Sequence, residues 1–203
     1  MILITGVPRS GTSFMGRVFR THGEFMEPPL FTSGFCPGYK FNLMEPSVVS
    51  SLCTTGGTLE QFRAVFKDLE KRWQSDNDAE LVIKVPQLSF FPEICDEFSK
   101  VILCIRELDD AFYKSAVGHG MDSWLWCDPY FLRELNDRTL EGMSKLWRAK
   151  AEGISRLFPE KSHIYKFGDK DSFNSLMGNF SPNQETIDDA YNTHWRKNLS
   201  AAW

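Results

Sequence analysis

What this chain lacks narrows its class before any motif is read. It has five cysteines, an odd number with no C-x-x-C pair, which argues against a disulfide framework or a zinc knuckle. Its four histidines (His22, His119, His163, His194) are scattered, with no H-x-x-x-H pair, so no metal site is expected. Positive charge is not in excess: 23 Lys and Arg stand against 27 Asp and Glu, a formal net charge of −4. General nucleic-acid binders are basic, so no nucleic-acid partner is expected. No apolar run approaches the length of a membrane helix, so no membrane span is expected. The N-terminal residues lack the basic region and long apolar core of a signal peptide. The expectation is a reduced, cytoplasmic protein that begins with its first strand. No internal repeat is visible.

What is present is ordinary in bulk and uneven in detail. The chain has 203 residues, 42% apolar and 25% charged, enough for one domain with its own core. A single domain over 1–203 is expected. Aromatic residues reach 14%, with seventeen Phe and six Trp, which suggests stacking surfaces or an apolar pocket beyond a minimal core.

Residues 2–5 form a short apolar, β-branched run, 6–11 a glycine loop, and 12–21 a helix with Phe14, Met15, Val18 and Phe19 on one side. Residues 23–57 are rich in Pro, Gly, Ser and aromatics and read as one long irregular segment. Thr58 caps a helix to about Gln74, striped by Leu59, Phe62, Val65, Phe66 and Leu69. Residues 75–78 form a polar turn. Strands are expected at 80–85, 101–105 and 163–167, and helices at 90–98, 109–117, 138–158 and 171–177. Cys95 and Cys104 lie in apolar segments and read as small buried residues. Continuous apolar strands alternating with helices predict an α/β fold: a three-layer α/β/α arrangement around a central parallel sheet. Ligands in such sheets bind at the carboxyl ends of the strands. The loop after Ile4, Lys84 and Arg106 all fall there.

Gly6-Val7-Pro8-Arg9-Ser10-Gly11-Thr12-Ser13 has the spacing of a phosphate-binding P-loop, G-x-x-x-x-G-K-[ST], with Thr12 in the lysine position. Glycines let backbone N–H groups close around an anion, and the following helix points its positive end there. The cation has moved inside the loop, to Arg9. P-loop NTPases also use a carboxylate near a strand end to help hold Mg²⁺. Here the later strands end in Lys84 and Arg106. Cations without a nearby acid suit a phosphorylated donor bound without metal.

Val7-Pro8-Arg9-Ser10-Gly11-Thr12-Ser13 resembles the 5′-phosphosulfate loop of sulfotransferases that use 3′-phosphoadenosine 5′-phosphosulfate (PAPS). It is closest to the P-R-S-G-T form of bacterial and Golgi members, including tyrosylprotein sulfotransferases. Lys84-Val85-Pro86 is similar to the family's K-x-P, and the run 101–106 resembles the strand and arginine that open its 3′-phosphate site. His163-Ile164-Tyr165-Lys166-Phe167 stands where the family shows v-x-Y-E-D-L, with Lys166 replacing the glutamate. The resemblance spans residues 2 to about 180 and implies a P-loop NTP hydrolase-like fold.

The resemblance also implies roles. Pro8, Arg9, Ser10, Gly11, Thr12 and Ser13 would cradle the donor, and Arg9 and Lys84 would stabilise the leaving oxygen. Arg106 and a serine would hold the 3′-phosphate. The family's serine stands eight residues after the arginine, whereas Ser115 stands nine after Arg106 and Lys114 holds the usual offset. A one-residue insertion in the turn favours Ser115. Glu27, in Glu27-Pro28-Pro29, matches the glutamate base of some members, with Glu24 and His22 as alternatives. Other members use a histidine shortly after the K-x-P lysine, where this chain has Gln87, which cannot act as a base.

The expected activity is metal-independent transfer of a sulfuryl group from PAPS to a hydroxyl or amine. Acceptor-side segments are expected at about 24–57 and 118–130, whose aromatics suit a small-molecule, lipid or glycan acceptor. Two other readings stand beside it. One is a P-loop nucleotide or small-molecule kinase with a degenerate loop. The other is a non-catalytic protein that binds PAPS or its product. The sequence does not set the oligomeric state.

Overall fold

Two periodicities meet at the centre of the molecule: strands that alternate between faces and helices that turn one stripe inward. The computed structural model describes residues 1–21, 32–36, 41–45, 47–74, 80–118, 120–121 and 135–179. Its strands are β1 (Ile2–Gly6), β2 (Thr32–Cys36), β3 (Phe41–Glu45), β4 (Glu80–Lys84), β5 (Lys100–Ile105) and β6 (Ser162–Lys166). They form one six-stranded sheet in the order β2-β3-β4-β1-β5-β6. Every neighbouring pair is parallel except β2 with β3, so the expected parallel sheet carries an antiparallel edge strand.

The helices are α1 (Thr12–Thr21), α2 (Ser47–Thr55), α3 (Leu59–Gln74), α4 (Asp110–Gly118), α5 (Leu140–Leu157) and α6 (Lys170–Met177). One face of the sheet presents Leu3, Leu81, Ile83, Val101 and Leu103 to Phe62, Phe66 and Leu69 of α3 and Ile154 of α5. The other presents Ile2, Ile4, Val82, Ile102 and Cys104 to Phe14 and Met15 of α1 and to Phe173, Leu176 and Met177 of α6. Helices therefore lie on both faces, and the middle of each central strand is apolar because neither of its sides meets water. Phe62 is fully buried in this packing. Truncating such a phenylalanine to alanine costs about 3–5 kcal/mol.

Local signals explain most boundaries. Thr58 and Gln61 form a reciprocal capping box at the start of α3, with N–H to side-chain distances of 3.2 and 2.8 Å. Thr139 caps α5 through Gly142 N–H at 3.0 Å, and Pro159 follows its C-cap, Phe158. Asp109 caps α4, accepting from Phe112 N–H at 2.7 Å.

Two expectations are corrected. The segment 23–57 is not one irregular stretch, because it contains β2, β3 and α2. α2 is rich in Ser, Thr and Val, which are poor helix formers. Its Val49 and Cys53, one turn apart, are fully buried, so tertiary packing overrides propensity. The helix expected at 90–98 is instead two 3₁₀ turns, Pro86–Phe90 and Pro92–Glu97, each opened by a proline. The turn at 75–78, most of 118–130 and the tail tryptophans Trp195 and Trp203 lie outside the described residues.

The topology places the site. From β1 the chain passes to β3 and β4 on one side, then crosses to β5 and β6 on the other. β1 is thus the strand at which direction reverses, and the crevice beyond its carboxyl end is the place for a ligand. A third apolar cluster supports that end: Val7 of the loop packs with Phe112 and Ala116 of α4 and with Met143 and Trp147 of α5.

Candidate functional site

The loop leaving β1 is fixed by contacts that only glycine permits. Gly6 has φ +128°, and a Cβ there would stand 2.1 Å from the Cys104 carbonyl oxygen. The next residue uses the closeness: Val7 N–H donates to that oxygen at 3.2 Å. Gly11 has φ +90°, and a Cβ there would meet the rings of Tyr165 and Phe167 at 2.8 and 2.9 Å. Between them stands Arg9 with φ +66°, the sole non-glycine with positive φ among the described residues. A left-handed arginine costs roughly 1–2 kcal/mol. Strain of this kind persists only where the surroundings enforce it, and it clusters at functional sites.

Three bonds enforce it. Ser10 N–H donates to the Val7 carbonyl at 3.1 Å, closing a turn. Arg106 Nη1 donates to the Arg9 carbonyl at 3.4 Å. Arg9 Nε donates to Ser115 Oγ at 3.2 Å, tying the loop to α4. α1 then starts at Thr12, with no acidic residue in its first turn. Its exposed N–H groups and positive dipole end therefore have no side-chain carboxylate of their own turn to satisfy them. The Ser10 hydroxyl is fully buried and has no hydrogen-bond partner among the described residues.

Lys84 ends β4 beside Ile4 of β1. Its side chain is 7% exposed, and its Nζ donates to Ser13 Oγ at 3.3 Å. A buried relay fixes the backbone just after it. Thr5 Oγ1 donates to the carbonyls of Val85 and Pro86, both at 3.0 Å. Ser89 Oγ donates to the Pro86 carbonyl at 2.8 Å, and Trp147 Nε1 donates to Ser89 Oγ at 2.6 Å.

The electrostatics of the two guanidinium groups run against them. Burial pushes the Arg9 pKa down, and the neighbouring Arg106 pushes it further. Burial also lowers Arg106, with Asp109 opposing. Asp109 is engaged as the α4 cap. Among the described residues, neither arginine has a carboxylate within ion-pair distance. Behind the loop, burial pushes the Cys104 thiol far up, with Lys84 opposing. A thiol held protonated at neutral pH is not a nucleophile. Among the described residues, no group of three His, Cys, Asp or Glu side chains could hold a metal ion, and no helix is long and apolar enough to cross a membrane.

The expected site residues thus fall into two groups. Arg9, Arg106 and Ser115 meet on the α4 side, and Lys84 and Ser13 meet at the start of α1. Ser115 faces the loop while Lys114 is exposed, so the nine-residue spacing is the one that reaches Arg9. Pro8, Ser10 and Thr12 are buried, Arg9 and Gly11 half-buried, and Ser13 exposed. Glu27, with its alternatives Glu24 and His22, lies outside the described residues. Gln87 keeps its side-chain oxygen buried without a partner.

Three contributors escaped sequence reasoning: Thr5, the Ser89–Trp147 pair and Phe167. Thr5 looked like one more strand residue and Trp147 one more core aromatic. The one available signal for Phe167 was its place just past β6, next to the strand that leads into Arg106. Set against known proteins, the chain matches no protein-family model and no curated protein sequence.

Proposed function

We propose that the protein is a P-loop-type sulfotransferase that moves a sulfuryl group from PAPS to a small-molecule, lipid or glycan acceptor, without a metal ion. The observation that carries this reading is a strained loop holding two half-buried guanidinium groups that have no carboxylate within ion-pair distance among the described residues. The loop opens a helix with no acid in its first turn, and a buried hydroxyl without a partner, Ser10, lies in it. Each of these features is costly in the free protein and becomes favourable once an anion with several oxygens is bound. A phosphosulfate offers such oxygens to the loop, and a 3′-phosphate offers more to Arg106 and Ser115.

In the reaction, the acceptor oxygen forms a bond to sulfur as the sulfur–oxygen bond to phosphate breaks. The departing phosphate oxygen gains negative charge, and the acceptor loses a proton to a base. By analogy with phosphoryl transfer, positioning and charge stabilisation supply most of the rate. The N–H groups of Arg9, Gly11, Thr12 and Ser13 and the Ser10 and Thr12 hydroxyls would hold the donor. Arg9 and Lys84 would neutralise the leaving oxygen, Lys84 being held for it by the Thr5–Pro86–Ser89–Trp147 relay. Accepting the donor exchanges the Arg9–Ser115 bond for bonds from both residues to the ligand. The resemblance assigns the base to Glu27, and the aromatic content of the segments at about 24–57 and 118–130 suits the acceptor side.

The test is thermal unfolding with adenosine 3′,5′-bisphosphate, the product nucleotide. At a hundred times its Kd it stabilises the fold by about 2.7 kcal/mol, a clear upward shift. A shift with Mg-ATP and none with the bisphosphate would replace this reading by the kinase. Binding without transfer to any acceptor, unaffected by Glu27→Ala, would replace it by a non-catalytic nucleotide-binding protein.

A further inference from the structure

One aromatic ring touches both parts of the anion site. Phe167 follows β6, and its N–H donates to the Ile105 carbonyl at 2.8 Å, which fixes its backbone beside the end of β5. Its ring lies with the Arg106 Cζ over it, 4.7 Å from the centroid. The same ring reaches the loop, since a Cβ on Gly11 would stand 2.9 Å from Phe167 Cδ2. The rest of the ring packs against the apolar cluster under α1 and α6.

A guanidinium carries its five N–H donors in one plane. Holding it by its face leaves those edges available, whereas a carboxylate partner occupies them and cancels the charge. The negative face of an aromatic ring attracts a cation without neutralising it. Phe112 gives weaker help, at 6.0 Å from the same Cζ. We propose that Phe167 is a positioning residue, holding the Arg106 guanidinium by its face so that its N–H edge serves both the Arg9 carbonyl and an incoming anion. The proposal deepens the reading above and rests on its claim that the loop is an anion site.

The ordinary alternative is that Phe167 only fills space, and chemistry separates the two. Leucine keeps the apolar volume and loses the ring face, while tyrosine keeps the face. The full chain and its Phe167→Leu, Phe167→Tyr, Arg106→Ala and Phe167→Leu/Arg106→Ala variants, each checked for folding by circular dichroism, are titrated with adenosine 3′,5′-bisphosphate and separately with inorganic pyrophosphate. Phe167→Leu is expected to weaken binding about three- to thirtyfold, the scale of a lost cation–π contact. Phe167→Tyr should stay within about twofold of the parent, and Phe167→Leu should cost nothing further once Arg106 is alanine.

Equal binding by parent and Phe167→Leu overturns the proposal. So does Phe167→Tyr as weak as Phe167→Leu, or an undiminished loss in the Arg106→Ala background. If Phe167→Leu does not fold, Phe167→Met against Phe167→Trp makes the same comparison. Binding of pyrophosphate but not of the nucleotide would end the PAPS reading and leave the pyrophosphate series to decide on Phe167. Binding of neither by the parent would end both.

Discussion

Cations at the periphery of this protein and cations at the loop are treated in opposite ways. At the periphery several have an acid: Arg63 meets Glu97 at 2.6 Å, Lys161 meets Asp96 at 3.0 Å, and Arg148 meets Glu152 and Glu107 at 2.8 and 3.2 Å. At the loop, Arg9 and Arg106 are half-buried, repel one another and have no carboxylate within ion-pair distance among the described residues. The periphery shows that acids are plentiful, 27 in a chain of net charge −4. Exposed pairs contribute about 0–1 kcal/mol each, whereas two half-buried like charges destabilise the free protein. On the proposed reading, that cost in the free state is offset when an anion binds.

The contrast can be broken at several points. The largest effect is expected from Gly6→Ala, whose Cβ would stand 2.1 Å from the Cys104 oxygen. Backbone must move, so urea denaturation should show a loss above about 4 kcal/mol, or no folded protein. Next is Ser115→Asp, which gives Arg9 the acid that peripheral cations have. Its melting temperature should hold or rise, while calorimetry shows affinity for adenosine 3′,5′-bisphosphate falling about a hundredfold or more, through like-charge repulsion. Arg9→Gly separates strain from function. It relieves a left-handed arginine worth roughly 1–2 kcal/mol and so should melt higher. It should also bind the bisphosphate at least about tenfold more weakly, having lost a charged donor. The smallest effect is expected from Arg63→Ala at the periphery: at most about 1 kcal/mol in denaturation and unchanged nucleotide affinity.

The central layer was legible in the sequence because it obeys local rules. The apolar runs of β1, β4 and β5, the Thr58 cap and the stripe of α3 each carry their own periodicity or capping signal. The loop was legible because Gly6, Gly11 and Arg9 are adjacent in the chain. β2, β3 and α2 were missed because their order comes from pairing with β4 and from packing on Phe62, not from propensity. Thr5, the Ser89–Trp147 pair and Phe167 were missed for a related reason. Their partners lie dozens of residues away, and side chains of their types usually need no functional explanation. The Ser115 spacing lies between these cases. The sequence posed two offsets; the structure turns Ser115 towards Arg9 and leaves Lys114 exposed, a contact between distant elements that no local pattern signals.

The claim at the centre is that the loop is built for a bisphosphorylated nucleotide and needs no divalent cation. The most direct measurement is equilibrium titration of the intact chain with adenosine 3′,5′-bisphosphate, with and without Mg²⁺, beside Arg9→Ala and Arg106→Ala. The expected result is saturable one-to-one binding, unchanged by Mg²⁺ and weakened at least about tenfold in each variant. No binding by the parent, binding that requires Mg²⁺, or binding indifferent to both arginines would contradict it.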